Sequence, residues 1–133
     1  MSDIHQLTEL QIAILRVLWA QGRATGAEIC EALRPERGLA LTTVATLLSR
    51  LEKRGVVRHE TRARQFVYEA LVSEADVRHS MVRELTEQLF DGNVTELVSH
   101  LISEREISPG DLDRVRAMLE LAQSGKGKRT DVR

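Results

Sequence analysis

The sequence predicts a mainly α protein with one small antiparallel β-hairpin, and three observations lead there. Apolar residues recur at helical spacing from about residue 9 to residue 54. Between residues 56 and 70 the period drops to two, and from Ser73 to about residue 123 it is helical again. The breakers Gly22, Pro35, Gly38, Gly55, Gly92, Pro109 and Gly110 fall between these segments rather than inside them.

Thr8 followed by Gln11 is a capping-box pattern and opens a first helix over about 9–21. Leu10, Ile12, Ile14, Leu15, Val17, Leu18 and Trp19 make it apolar on most sides, so it is central and buried. Thr25 and Glu28 repeat the box for a second helix, 26–34, which Pro35 ends. Thr42 or Thr43 can cap a third helix reaching Arg54, with Gly55 as its stop. Its apolar residues Val44, Leu47, Leu48 and Leu51 follow i, i+3, i+4, i+7 and must face a core. Residues 56–60 and 65–70 are short strands, linked by Thr61-Arg62-Ala63-Arg64 into a hairpin with Phe66 and Tyr68 on one face. Three further helices follow, over about 74–91, 94–105 and 109–123. Ser73 caps the first, and Ser108-Pro109 with Asp111 opens the last. Residues 124–133 lack apolar period and read as a loose basic tail.

Composition narrows the function. With 133 residues, 42% of them hydrophobic, the chain is long enough for one domain or two small lobes. Aromatic residues are only 3%, too few for a platform that stacks single-stranded bases. The single Cys30 excludes an internal disulfide and a multi-cysteine metal site. No apolar run approaches the roughly 18 residues of a membrane span, and residues 1–6 lack the basic and apolar regions of a secretory leader. A cytoplasmic protein without membrane insertion is expected. Charge is unevenly placed: residues 41–64 carry Arg50, Lys53, Arg54, Arg58, Arg62 and Arg64 against Glu52 and Glu60. Residues 73–123 carry five basic side chains against eleven acidic ones. Only the first half is suited to an anionic polymer.

Helix, helix, helix, hairpin is the order of a winged helix-turn-helix, here spanning residues 1–71. In that fold the third helix enters the DNA major groove and the hairpin reaches the backbone or minor groove. Thr43, Thr46 and Arg50 lie on the flank opposite the apolar positions, with Thr42 beside them. Short hydroxyls allow close approach to base edges, Thr methyls can meet thymine, and Arg50 can fork onto guanine. Lys53, Arg54, Arg58, Arg62 and Arg64 are placed for phosphates, which position without choosing sequence. Double-stranded DNA is the expected partner.

Residues 72–123 read as a helical dimerisation lobe. Val77, Met81, Leu85 and Leu89 form one stripe, Val94, Leu97, Val98 and Leu101 a second, and Leu112, Val115 and Leu119 a third. Some fifty residues are too few to bury a good core alone. Two chains packed together double that core, each leucine contributing about 1.5–3 kcal/mol before entropy. A homodimer also sets two recognition helices a whole number of DNA turns apart.

These residues carry a family resemblance. Leu7-Thr8-Glu9-Leu10 through Leu18-Trp19, and Leu41-Thr42-Thr43-Val44-Ala45-Thr46-Leu47-Leu48-Ser49-Arg50-Leu51-Glu52-Lys53-Arg54-Gly55-Val56-Val57, resemble the penicillinase-repressor (BlaI/MecI/CopY-type) family. Phe66-Val67-Tyr68, Phe90-Asp91-Gly92 and Leu97-Val98-Ser99 extend the likeness over about residues 7–122. The resemblance implies a transcriptional repressor that binds a palindromic operator as a homodimer, with Thr43, Thr46 and Arg50 on the recognition helix and Arg62 and Arg64 on the wing. It further implies, for some members, control of a β-lactam or cell-wall-stress resistance response relieved by a membrane sensor protease. The Asn-Phe pair cut in those members stands here as His100-Leu101. The copper-responsive branch carries a C-terminal cysteine motif, and this chain has no cysteine after Cys30.

Other chemistry finds no support. His5, His59, His79 and His100 show no metal-ligand spacing, and neither the P-loop, the G-x-G-x-x-G nor the G-x-S-x-G pattern occurs. Glu104 with Glu106 and Asp111 with Asp113 are two apart and share no helix face, so they make poor acid–base couples. No enzyme, cofactor or metal is expected. Two rival readings remain at this stage: a winged-helix protein-interaction module, and a repressor that senses a small ligand between its lobes.

Overall fold

The computed structural model describes residues 3–104 and 106–130. The order is α1 (Glu9–Gln21), β1 (Ala24–Thr25), α2 (Gly26–Leu33), α3 (Leu41–Lys53), β2 (Val57–Arg62), β3 (Gln65–Ala70), α4 (Glu74–Phe90), α5 (Val94–Ser103) and α6 (Pro109–Thr130). The chain divides into two compact units, one ending at Leu85 and one beginning at Thr86.

In the first unit both capping boxes form as the sequence predicts. The Thr8 hydroxyl accepts from the Gln11 N–H at 3.2 Å, and the Gln11 side chain accepts from the Thr8 N–H at 2.9 Å. Thr25 and Glu28 exchange the same bonds at 3.1 and 2.8 Å. Gly22 ends α1 at φ 83°, a conformation glycine reaches without a Cβ penalty. The core gathers Ile14, Leu15 and Leu18 from α1, Ile29 and Leu33 from α2, Val44, Leu48 and Leu51 from α3, and Val56, Val57 and Tyr68 from the hairpin. Trp19, half-buried on α1, donates its indole N–H to the Val72 carbonyl at 2.9 Å.

The structure departs from the sequence expectation at several points. Helix α3 begins at Leu41 with Ala40 as N-cap and no side-chain cap. Thr42 and Thr43 are thus inside the first turn, and their hydroxyls do not close the helix end. The sheet has three strands in the order β1-β3-β2, because Ala24 and Thr25 pair antiparallel with Tyr68 and Val67. Strand β2 runs on to Arg62, which pairs with Gln65, so the hairpin turn is two residues rather than four. Ala63 (φ 49°) and Arg64 (φ 67°) both sit in the left-handed region, the signature of the tight turns that match strand twist.

The expected lobe boundary at residues 71/72 moves to Leu85/Thr86 because α4 begins as part of the first unit. Val77, only 3% exposed, belongs to that unit's core, and Met81 packs against it. Val77 is therefore not free for the dimer interface to which its stripe assigns it, and Met81 is half-buried.

In the second unit the Asn93 side chain caps α5 by accepting from the Glu96 N–H at 3.1 Å, and Ser108 caps α6 by accepting from Asp111 at 3.1 Å. Helix α6 runs to Thr130, so the segment expected as a loose tail from residue 124 is helical for most of its length. No proline interrupts it. Residues 131–133 lie outside the described residues. Among the described residues no helix is long and apolar enough to cross a membrane.

Candidate nucleic-acid interface

Helix α3 is divided lengthwise. Val44, Leu48 and Leu51 are fully buried, and that buried side pins the helix to α1 and α2. On the opposite side Thr42, Thr46, Ser49 and Lys53 follow one another at i, i+4, i+7 and i+11, all exposed. Thr43 and Arg50 flank this row on one side, also exposed. Leu41, Ala45 and Glu52 flank it on the other, next to the hairpin. The Thr46 hydroxyl donates to the Thr42 carbonyl at 3.0 Å, which leaves its oxygen able to accept. Arg50 and Lys53 have no ion-pair partner among the described residues, so both charges are available to an incoming anion. Ser49 belongs to the same surface and was not among the residues singled out above. The 3.6-residue period places it there as firmly as Thr46.

The other basic residues divide differently from their expected roles. Arg54 is folded back on the N-terminal arm: its guanidinium donates to the His5 carbonyl and lies 3.6 Å from the Asp3 carboxylate, while its own carbonyl accepts from the Asp3 N–H at 2.7 Å. A guanidinium so engaged holds the arm rather than a phosphate. Arg62 lies 3.1 Å from Glu60, which also accepts from Arg58 at 2.6 Å and faces Arg23 at 3.6 Å. Arg58 donates to Glu69 as well, and Arg23 donates to Glu69 at 3.2 Å. The hydrogen bonds from Arg58 hold the Glu60 and Glu69 carboxyls below the ordinary carboxylate range, and the bond to Glu69 raises Arg58. Three wing-side arginines are thus offset by two carboxylates, and Arg64 at the hairpin tip has no ion-pair partner among the described residues. Arg23 lies some forty-six positions from Glu69 in the chain, so no local spacing signalled this network.

One contact joins α3 to the wing. His59 Nδ1 on β2 lies 2.7 and 2.8 Å from the two carboxylate oxygens of Glu52. A carboxylate only accepts, so Nδ1 carries the proton and donates. The Phe66 ring stacks on the imidazole, centroids 4.0 Å apart and 20° from parallel, and Tyr68 stands tilted at 5.5 Å. Burial, and then the Glu52 charge, push the Tyr68 phenol upward.

In the second unit the expected interface residues lie where a single chain leaves them uncovered. Leu89 is 68% exposed, Val94 62% and Leu119 57%; Val98 and Val115 are exposed as well, and Leu97, Leu101 and Leu112 are half-buried. Leu85, at the end of the first unit, is exposed too. No residue of α5 is buried. Among the described residues no group of three or more His, Cys, Asp or Glu side chains could hold a metal ion, and Cys30 is half-buried against the first unit's core.

Comparison with known proteins agrees with this geometry. The sequence matches the family described as Penicillinase repressor over residues 7–121. It is 20% identical over 115 residues to the methicillin resistance regulatory protein MecI of Staphylococcus aureus (strain N315), covering 86% of this chain and 94% of that protein. It is 22% identical over 120 residues to the penicillinase repressor of Bacillus licheniformis, covering 90% and 94%. The solution structure of the DNA-binding domain of the repressor BlaI superposes with a TM-score of 0.51 at 28% identity, over 57% of this chain and 93% of that domain. The C80S mutant of MarR from E. coli shares the fold at a TM-score of 0.53 and 16% identity, over 89% of this chain and 79% of MarR.

Proposed function

The chain belongs to the penicillinase-repressor family, whose members are transcriptional repressors and not enzymes, and on that premise we propose that it binds a palindromic duplex operator as a homodimer and blocks transcription. The observation that carries this reading is the division of α3. Its apolar side is sealed in the core, while Thr42, Thr46, Ser49, Arg50 and Lys53 stand exposed with two unpaired cations among them. In such a helix the hydroxyls and Arg50 read base edges in the major groove, and Lys53 and Arg64 hold phosphates. Arg62 joins them when phosphate displaces Glu60. The uncovered leucines and valines of the second unit supply the dimer contact, which meets the second half-site at high effective concentration. As a DNA-binding repressor of this family it works in the cytoplasm.

Relatives named for methicillin resistance and penicillinase support a resistance or cell-wall-stress regulon. Relief by a membrane sensor protease is what the family resemblance implies, and His100-Leu101 in place of the Asn-Phe pair counts against a cut at that bond. Footprinting the purified chain on its own upstream DNA tests the central claim. The expected result is a symmetric protected patch whose affinity falls steeply with salt. Absence of salt-dependent affinity for any duplex overturns it.

A further inference from the structure

We infer that Glu52 and His59 are positioning residues that lock the wing against the recognition helix, so that both reach the same half-site in register. The inference rests on the DNA-binding reading above. Glu52 occupies the last full turn of α3, one residue before Lys53, and His59 the third position of β2. Their bond is bifurcated over both carboxylate oxygens at 2.7 and 2.8 Å, and both side chains are about two-thirds or more shielded from solvent. The imidazole is also held from the side: Phe66 stacks on it at 4.0 Å, and Phe66 in turn meets Tyr68 edge-on at 6.3 Å. A ring fixed by a stack on one strand and a carboxylate on the helix has little freedom to pivot. The hairpin that carries it ends in a two-residue turn with Arg64 unpaired. A small rotation at the base of a hairpin becomes a larger displacement at its tip, so this bond sets where Arg64 meets the backbone.

The sign of the mutational effect separates positioning from simple electrostatics. Glu52 is a negative charge beside the proposed DNA surface, so removing it should by itself strengthen binding. A positioning carboxylate predicts the reverse. In the full-length protein, Glu52→Leu and His59→Phe (which keeps the stack on Phe66 but loses Nδ1) should each weaken binding to the protected duplex about three- to tenfold, the span expected for one hydrogen bond. Hydroxyl-radical footprints should lose protection at the wing-side edge of each half-site and keep it in the major groove. Glu52→Gln, which removes the charge but can still accept from Nδ1, should restore the wild-type footprint. The double variant E52L/H59F should bind no more weakly than either single variant. Unchanged or tighter binding by E52L overturns the inference, as does protection lost evenly across the half-site. If the wild-type chain protects no duplex at all, the DNA-binding reading itself falls and takes this one with it.

Discussion

Arg50 and Lys53 stand three residues apart on one exposed surface, yet the two make different predictions. Both lie in the last turn of α3, but Arg50 stands beside Thr43 and Thr46 and carries the planar fork that can span guanine O6 and N7, whereas lysine is a point charge. Arg50→Ala should cost about 1–3 kcal/mol in operator binding and relax sequence preference, measured by competition with mismatched duplexes. Lys53→Ala should weaken all duplexes alike and lower the slope of log affinity against log salt by about one. Arg54, although adjacent, is occupied by Asp3 and the His5 carbonyl, so Arg54→Ala should leave that slope unchanged while lowering the melting temperature. The core side of the same helix answers to packing instead. Leu48 is fully buried, and Leu48→Ala should destabilise by about 2–5 kcal/mol in a denaturant titration.

The wing as an element combines strain, charge and hydrogen bonding. Arg64 holds a positive φ that glycine adopts freely and arginine does not. Arg64→Gly should therefore leave the fold at least as stable yet weaken DNA binding, opposite trends visible in melting and affinity measured side by side. The ion pairs at the wing base give a pH dependence. Glu60 and Glu69 have carboxyls depressed by Arg58, so they stabilise the fold above the ordinary carboxylate range. That contribution is lost as pH falls through their depressed values. Glu69→Gln should flatten the acid limb of melting temperature against pH. Local patterns made the long elements readable: the capping boxes at Thr8 and Thr25, and the apolar spacing of Val44, Leu48 and Leu51, fixed three helices and the buried side of the third. What stayed hidden was non-local. Strand β1 is two residues, too short to show a period, and exists only because Tyr68 and Val67 lie beside it. Arg62 and Arg54 carry the composition of phosphate ligands, but their partners Glu60 and Asp3 become apparent only once the chain has folded.

At the scale of the molecule the two units differ in how far each can hold itself together. The first buries a continuous core from three helices, the hairpin and Val77. The second leaves Leu89, Val94, Val98, Val115 and Leu119 exposed. Helical period alone could suggest a dimer from such stripes but could not say that α4 starts in the other unit. Leu119 is 57% exposed, so Leu119→Asp should not disturb the chain's own packing. It should yield monomers in sedimentation and sharply reduce operator affinity without touching a DNA contact. Trp19 offers a way to watch one unit at a time. It is the only tryptophan in the chain, and its indole is moored to the Val72 carbonyl just ahead of α4. Its emission reports the loosening of that mooring. Far-ultraviolet dichroism sums over every helix. Heating curves from the two signals would therefore coincide only if the chain melts as a single cooperative body, and a gap between them would date the two losses of order separately.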